Sequence, residues 1–194
     1  MLELSSISER RAVWIAQSDL FLDTDTRLSF PYIARVTAAS PYTLPELEAI
    51  CRDEVAPIVE SNLLEVAGEW AMFPEDWLVD SIVSRLKTNP PSPYNMDTDT
   101  IEQWRGVAHL VSCLRALPPE TREPRVQLWQ KMSALFLHRN PTPPPDWPGA
   151  PDDIFSGEML PAYGRSVDAY YKHNPSLYPT MREIELAWLN WRHL

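Results

Sequence analysis

The chain has 194 residues, with 27 acidic side chains against 17 Lys and Arg and a formal net charge of −10. Such a charge disfavours nucleic acid and anionic membrane, and it steers a basic protein partner at long range. An apolar content of 44% with eight Trp supports a real core, in one compact domain or two small ones, and no stretch is long and apolar enough to span a membrane.

Met1-Leu2-Glu3-Leu4 lacks the basic start and apolar run of a signal peptide, so the expected location is cytoplasmic. Cys51 and Cys113 fall within helical patterns and make no disulfide framework; buried free thiols are expected. Gly is scarce (five) and Pro abundant (twenty). No run of alternating β-branched residues stands out, so the chain reads as all-α, a compact multi-helix bundle.

In chain order, Ser6-Ile7-Ser8-Glu9 is a capping box that opens the first helix. Val13, Trp14, Ala16, Leu20 and Phe21 form its core face, and Asp23-Thr24-Asp25 ends it. Pro31 starts a second helix carrying Tyr32, Ile33 and Val36, and Ser40-Pro41-Tyr42 breaks it. Thr43-Leu44-Pro45-Glu46 is another capping box, followed by a stripe of Leu47, Ile50, Cys51, Val55 and Ile58. Pro57 should kink or end that helix because it supplies no backbone donor. Pro74 begins a helix with an apolar stripe of Trp77, Leu78, Ile82 and Leu86. A Pro-rich linker follows. Beyond Thr98, Ile101, Trp104, Val107, Ala108, Val111 and Leu114 make a clear amphipathic helix, stopped by Pro118-Pro119. Val126, Trp129, Met132, Leu135 and Phe136 line the next one. Asn140 to Pro151 is a Pro-rich loop, short helices cover Pro161 to Tyr171, and Thr180-Met181-Arg182-Glu183 is a third capping box before Ile184, Ala187, Trp188 and Trp191.

The pattern W-x-x-x-S-x-L-F-L occurs twice, from Trp14 to Leu22 and from Trp129 to Leu137. Glu54-Val55-Ala56-Pro57 is echoed by Glu158-Met159-Leu160-Pro161, and Phe73-Pro74 by Tyr178-Pro179. Three landmarks in the same order predict a degenerate internal duplication. The expected organisation is a first helical repeat at 1–88, a linker at 89–97 and a second repeat at 98–194 with the Pro-rich loop at 140–151, packed as one unit. The repeated residues read as scaffold. Glu54 and Glu158 read as structural carboxylates, with Arg35 and Arg165 as possible partners.

No catalytic constellation emerges. His109, His138, His173 and His193 are scattered, with no ligating partner a helical turn away, so no metal or cofactor is expected. Nucleophile elbow, P-loop and dinucleotide fingerprint are all missing. Asn62 to Trp70 mixes acids, Gly and Trp, which suits either a tight helix junction with Gly68 at the close approach and Trp70 buried, or a hot spot for a basic partner.

Ser18-Asp19-Leu20-Phe21-Leu22-Asp23-Thr24, Tyr32-Ile33-Ala34, Glu54-Val55-Ala56-Pro57, Asn62-Leu63 and Ala67-Gly68-Glu69-Trp70 resemble, over residues 9 to 86, a family of small uncharacterised bacterial helical proteins. The resemblance implies a small helical domain of the kind found beside toxins of interbacterial systems, type VI secretion among them. From it follows the expectation of a non-enzymatic immunity protein. Such a protein binds a cognate, basic toxin effector and occludes its active site, through Asp23, Asp25, Glu65, Glu69 and Trp70, with Asp146 and Trp147 as a second contact. The alternative is an adaptor or chaperone for a secreted effector.

Overall fold

The computed structural model describes residues 4–22, 25–63, 72–88, 93–137 and 178–189. Within them every regular element is helical: α1 (Leu4–Ser18), α2 (Phe30–Ala39), α3 (Leu44–Ile50), α4 (Ala56–Leu63), α5 (Glu75–Thr88), α6 (Thr98–Ala116), α7 (Pro119–Leu137) and α8 (Tyr178–Leu189). The all-α bundle is therefore the observed fold, and no helix among the described residues is long and apolar enough to cross a membrane.

Helix α1 begins at Leu4, a turn before the Ser6 to Glu9 box, so that box does not open it. Ile7 packs against the core, which favours helix through this turn. After Ser18 the chain tightens into a 3₁₀ turn (Asp19–Phe21) that buries Leu20 and Phe21. A second 3₁₀ turn (Thr26–Leu28) is capped by Asp25, which accepts from the Arg27 backbone. Pro31 sits in the first turn of α2, where its missing donor costs nothing. The Thr43 capping box of α3 is complete, with both reciprocal bonds made.

Pro57 does not end its helix. A π turn (Cys51–Val55) joins α3 to α4, and the Ala56 backbone donates to the Cys51 carbonyl. Pro57 offers no N–H to the Asp53 carbonyl, and Arg85 of α5 donates to that carbonyl instead, at 3.1 Å. The Asp53 side chain accepts a bidentate pair from Arg52 at 2.7 and 2.8 Å and the Tyr94 backbone N–H at 3.2 Å. The Arg52 hydrogen bonds hold the Asp53 carboxyl below its ordinary range. This cluster ties the stretch leading into α6 to the π turn.

The two central helices are α2 and α6, which pack broadly on each other. Helix α2 also meets α1 and α7, while α6 also meets α8, and α7 meets α8. On the outer side α1 packs against the π turn and α5. Arg115 of α6 caps α2: its guanidinium donates to the carbonyls of Thr37 (3.0 Å), Ala38 (3.4 Å), Ser40 (3.3 Å) and Tyr42 (2.6 Å). The final turn of a helix leaves such carbonyls without intrahelical partners, and a cation there also suits the helix dipole. Gly106 lies where α2, α6 and α8 converge. A Cβ there would sit 2.4 Å from the Ala187 carbonyl oxygen and 2.8 Å from Phe30 Cε2, so only glycine permits the approach.

Two buried Trp residues are held by the same kind of cluster. Trp14, fully buried, donates its indole N–H to Glu54 Oε2 at 2.7 Å, and Arg10 pairs with the same carboxylate. Trp129, also fully buried, donates to Glu183 Oε2 at 3.1 Å, and Arg125 pairs with it at 2.5 Å. Each unit is thus R-x-x-x-W on one helix and a Glu on another. Glu183 serves Trp129 as Glu54 serves Trp14; Glu158, the echo read from the sequence, and Arg165 lie outside the described residues. Arg35 does not reach Glu54 and instead approaches Glu123 at 4.0 Å. On α8 the Glu183 carboxylate is committed to Trp129 and Arg125. The third capping box fails for the same reason. Helix α8 already starts at Tyr178, Thr180 is buried within it, and the Glu183 carboxylate is engaged by Trp129 and Arg125.

Candidate protein-interaction face

The first turn of α5 carries Glu75 and Asp76, where the helix dipole favours anions. Leu78, Val79 and Ile82 turn into the core. Trp77 points elsewhere and is 38% exposed, and Met72, just before the helix, is 71% exposed. These are the large apolar side chains that stay exposed among the described residues. The Trp77 ring stacks on Phe73, with centroids 6.2 Å apart and planes 18° from parallel. Phe73 is itself buried, so Trp77 rests on a fixed support. Asp80, exposed, follows Asp76 by one helical turn and lies on the same side. Arg11 reaches across from α1 to Glu75 Oε2 (3.3 Å) and Asp76 Oδ1 (3.1 Å). A rigid aromatic beside an apolar side chain and several carboxylates has the composition of a hot spot for a basic protein.

Trp77 was expected in the core stripe and is not there. The inward sector is filled by Leu78, Val79 and Ile82, and Trp77 is turned about 100° from Leu78 on the side away from Val79. The sequence did hold a signal: Phe73 stands four residues before Trp77, and acids stand at 75, 76 and 80.

Of the binding residues read from the sequence, Asp25 is exposed and accepts a fork from Arg27, at 2.7 and 2.5 Å, so its charge is already matched. Asp23, Glu65, Glu69, Trp70, Asp146 and Trp147 lie outside the described residues. Trp70 precedes Met72 by two positions, which puts the α5 face at the edge of the acid and Trp stretch singled out above.

The titratable groups elsewhere are tuned by burial. Cys51 is buried, and burial pushes its thiol well up. Cys113 lies four residues after His109, a pairing the sequence reading missed, with Sγ 3.7 Å from Nε2. Burial pushes the Cys113 thiol up to about 11 and the His109 ring down, so both are neutral at pH 7. A protonated thiol is a poor nucleophile and a poor metal ligand. No three potential ligands converge among the described residues. Asp19 is half-buried, and desolvation raises its carboxyl to about 6 against the opposing hydrogen bond from Ser29.

Comparison with curated proteins and with solved structures gives no match. Residues 8–109 match the family described as a domain of unknown function, DUF7079. The matched span runs from the second turn of α1 into α6, and it contains the Arg10, Trp14 and Glu54 unit and the α5 face. With more than half of its length matched, the chain belongs to the DUF7079 family.

Proposed function

We propose that the protein is an immunity-type binder that neutralises a cognate, basic toxin effector by covering its active site. One observation carries this reading. The large apolar side chains left exposed among the described residues, Met72 and Trp77, sit with Glu75 and Asp76 at one helix start of a chain with net charge −10. A rigid Trp supplies the anchor, and the surrounding carboxylates accelerate encounter with a basic surface and fix its orientation. Inhibition is steric and needs no chemistry from the binder.

The test has two arms. The tagged chain is used to capture proteins from its native host, and cells expressing a captured effector are then challenged with and without the chain. Capture of a basic effector whose toxicity the chain suppresses supports the proposal. Capture without protection converts the reading to an adaptor, and capture of no effector removes it.

A further inference from the structure

We propose that the opening turn of α5 is a docking site for an arginine-bearing segment of the partner protein, and that Arg11 occupies its acid pair until that segment displaces it. The proposal rests on the reading of a basic partner given above and specifies which chemistry the face accepts. Glu75 and Asp76 already hold a guanidinium, that of Arg11, at 3.3 and 3.1 Å. The contact is weakly held. The Arg11 side chain is 40% exposed and the Asp76 side chain 91% exposed, and exposed pairs of this kind are readily exchanged in water. An incoming arginine replaces like with like at the carboxylates and gains what Arg11 does not use. The Trp77 ring, stacked on Phe73 and 38% exposed, follows the acid pair in the same opening turn, and a planar guanidinium stacks on an aromatic face better than an ammonium does. Met72 extends the apolar side of the same surface. Charge complementarity selects the occupant. The acids at 75, 76 and 80 are exposed, whereas the neighbouring inward positions Leu78, Val79 and Ile82 are closed to any ligand.

The full chain is titrated with a hexa-arginine and a hexa-lysine peptide at low salt, reading binding by calorimetry and by Trp fluorescence. Arg11→Gln vacates the acid pair and should tighten hexa-arginine binding by about threefold to tenfold. The double variant Glu75→Gln/Asp76→Asn should weaken it by at least about fivefold, and Trp77→Ala should remove the preference for arginine over lysine. All four positions are surface ones, and circular dichroism checks that each variant keeps its helices. Unchanged or weaker binding by Arg11→Gln overturns the proposal, as does unchanged binding by the double variant. The two readings fail separately. Peptide results as expected with no effector captured remove only the immunity reading, and a captured effector with unresponsive peptides places its contact on another face.

Discussion

At the scale of residues, two carboxylates do the same job in unequal surroundings. Glu54 accepts from the Trp14 indole and pairs with Arg10, and its side chain is 6% exposed. Burial works against the Arg10 charge, yet the hydrogen bond and the charge of Glu54 raise its pKa overall. Glu54→Gln should therefore leave a half-buried guanidinium poorly matched and lower stability by about 2–3 kcal/mol. Glu183 and Arg125 are each 23% exposed, so water partly compensates, and Glu183→Gln should cost about 1–2 kcal/mol. Urea unfolding at constant m checks the order; an equal or reversed effect contradicts it. Asp19 yields a pH prediction. Its folded carboxyl titrates near 6 against an ordinary 3.8, so folding favours the protonated form. The stability contributed by that proton is complete below 3.8 and is lost as pH rises through 6. Asp19→Asn should thus be the more stable protein at pH 7, by roughly 2–4 °C in Tm, with the difference vanishing near pH 3.5. Subtracting variant from wild type isolates this group from Asp53, whose depressed pKa has the opposite slope.

At the scale of elements, local signals worked where both partners were local. The Thr43 box was readable because donor and acceptor lie three residues apart. Pro31 was readable because first-turn proline is a property of one residue. Two of the failures share one cause. Arg85 lies 32 residues from the Asp53 carbonyl beneath Pro57, and Trp129 lies 54 residues from Glu183. In both cases a distant partner decided the outcome. Gly106 is the clearest test of helix packing. Gly106→Ala would normally favour a helix, but here the new methyl meets backbone of α8 at 2.4 Å. The variant should lose about 1–3 kcal/mol, and hydrogen exchange should speed up first in α8. Unchanged exchange in α8 would show that the helix is not held at this point.

At the scale of the molecule, the proposed association draws on the net charge of −10 and on Trp77, exposed among the described residues. Binding to a basic effector should weaken steeply with ionic strength, because distant charges are screened beyond about 8 Å at physiological salt. Glu75→Gln/Asp76→Asn should mainly slow association, while Trp77→Ala should mainly speed dissociation, by about tenfold or more. Surface plasmon resonance across salt concentrations separates the two effects. If Trp77→Ala leaves dissociation unchanged, this face is not the anchor. The sequence by itself determined the helical class and the positions of most of the described helices, since apolar spacing and proline punctuation are local patterns. Only the tertiary structure decided which carboxylate serves Trp14 and which serves Trp129, how the chain passes Pro57 and that Trp77 faces solvent. Those outcomes depend on what packs against each position from far along the chain, and helical spacing alone cannot tell a Trp beside the core from one within it.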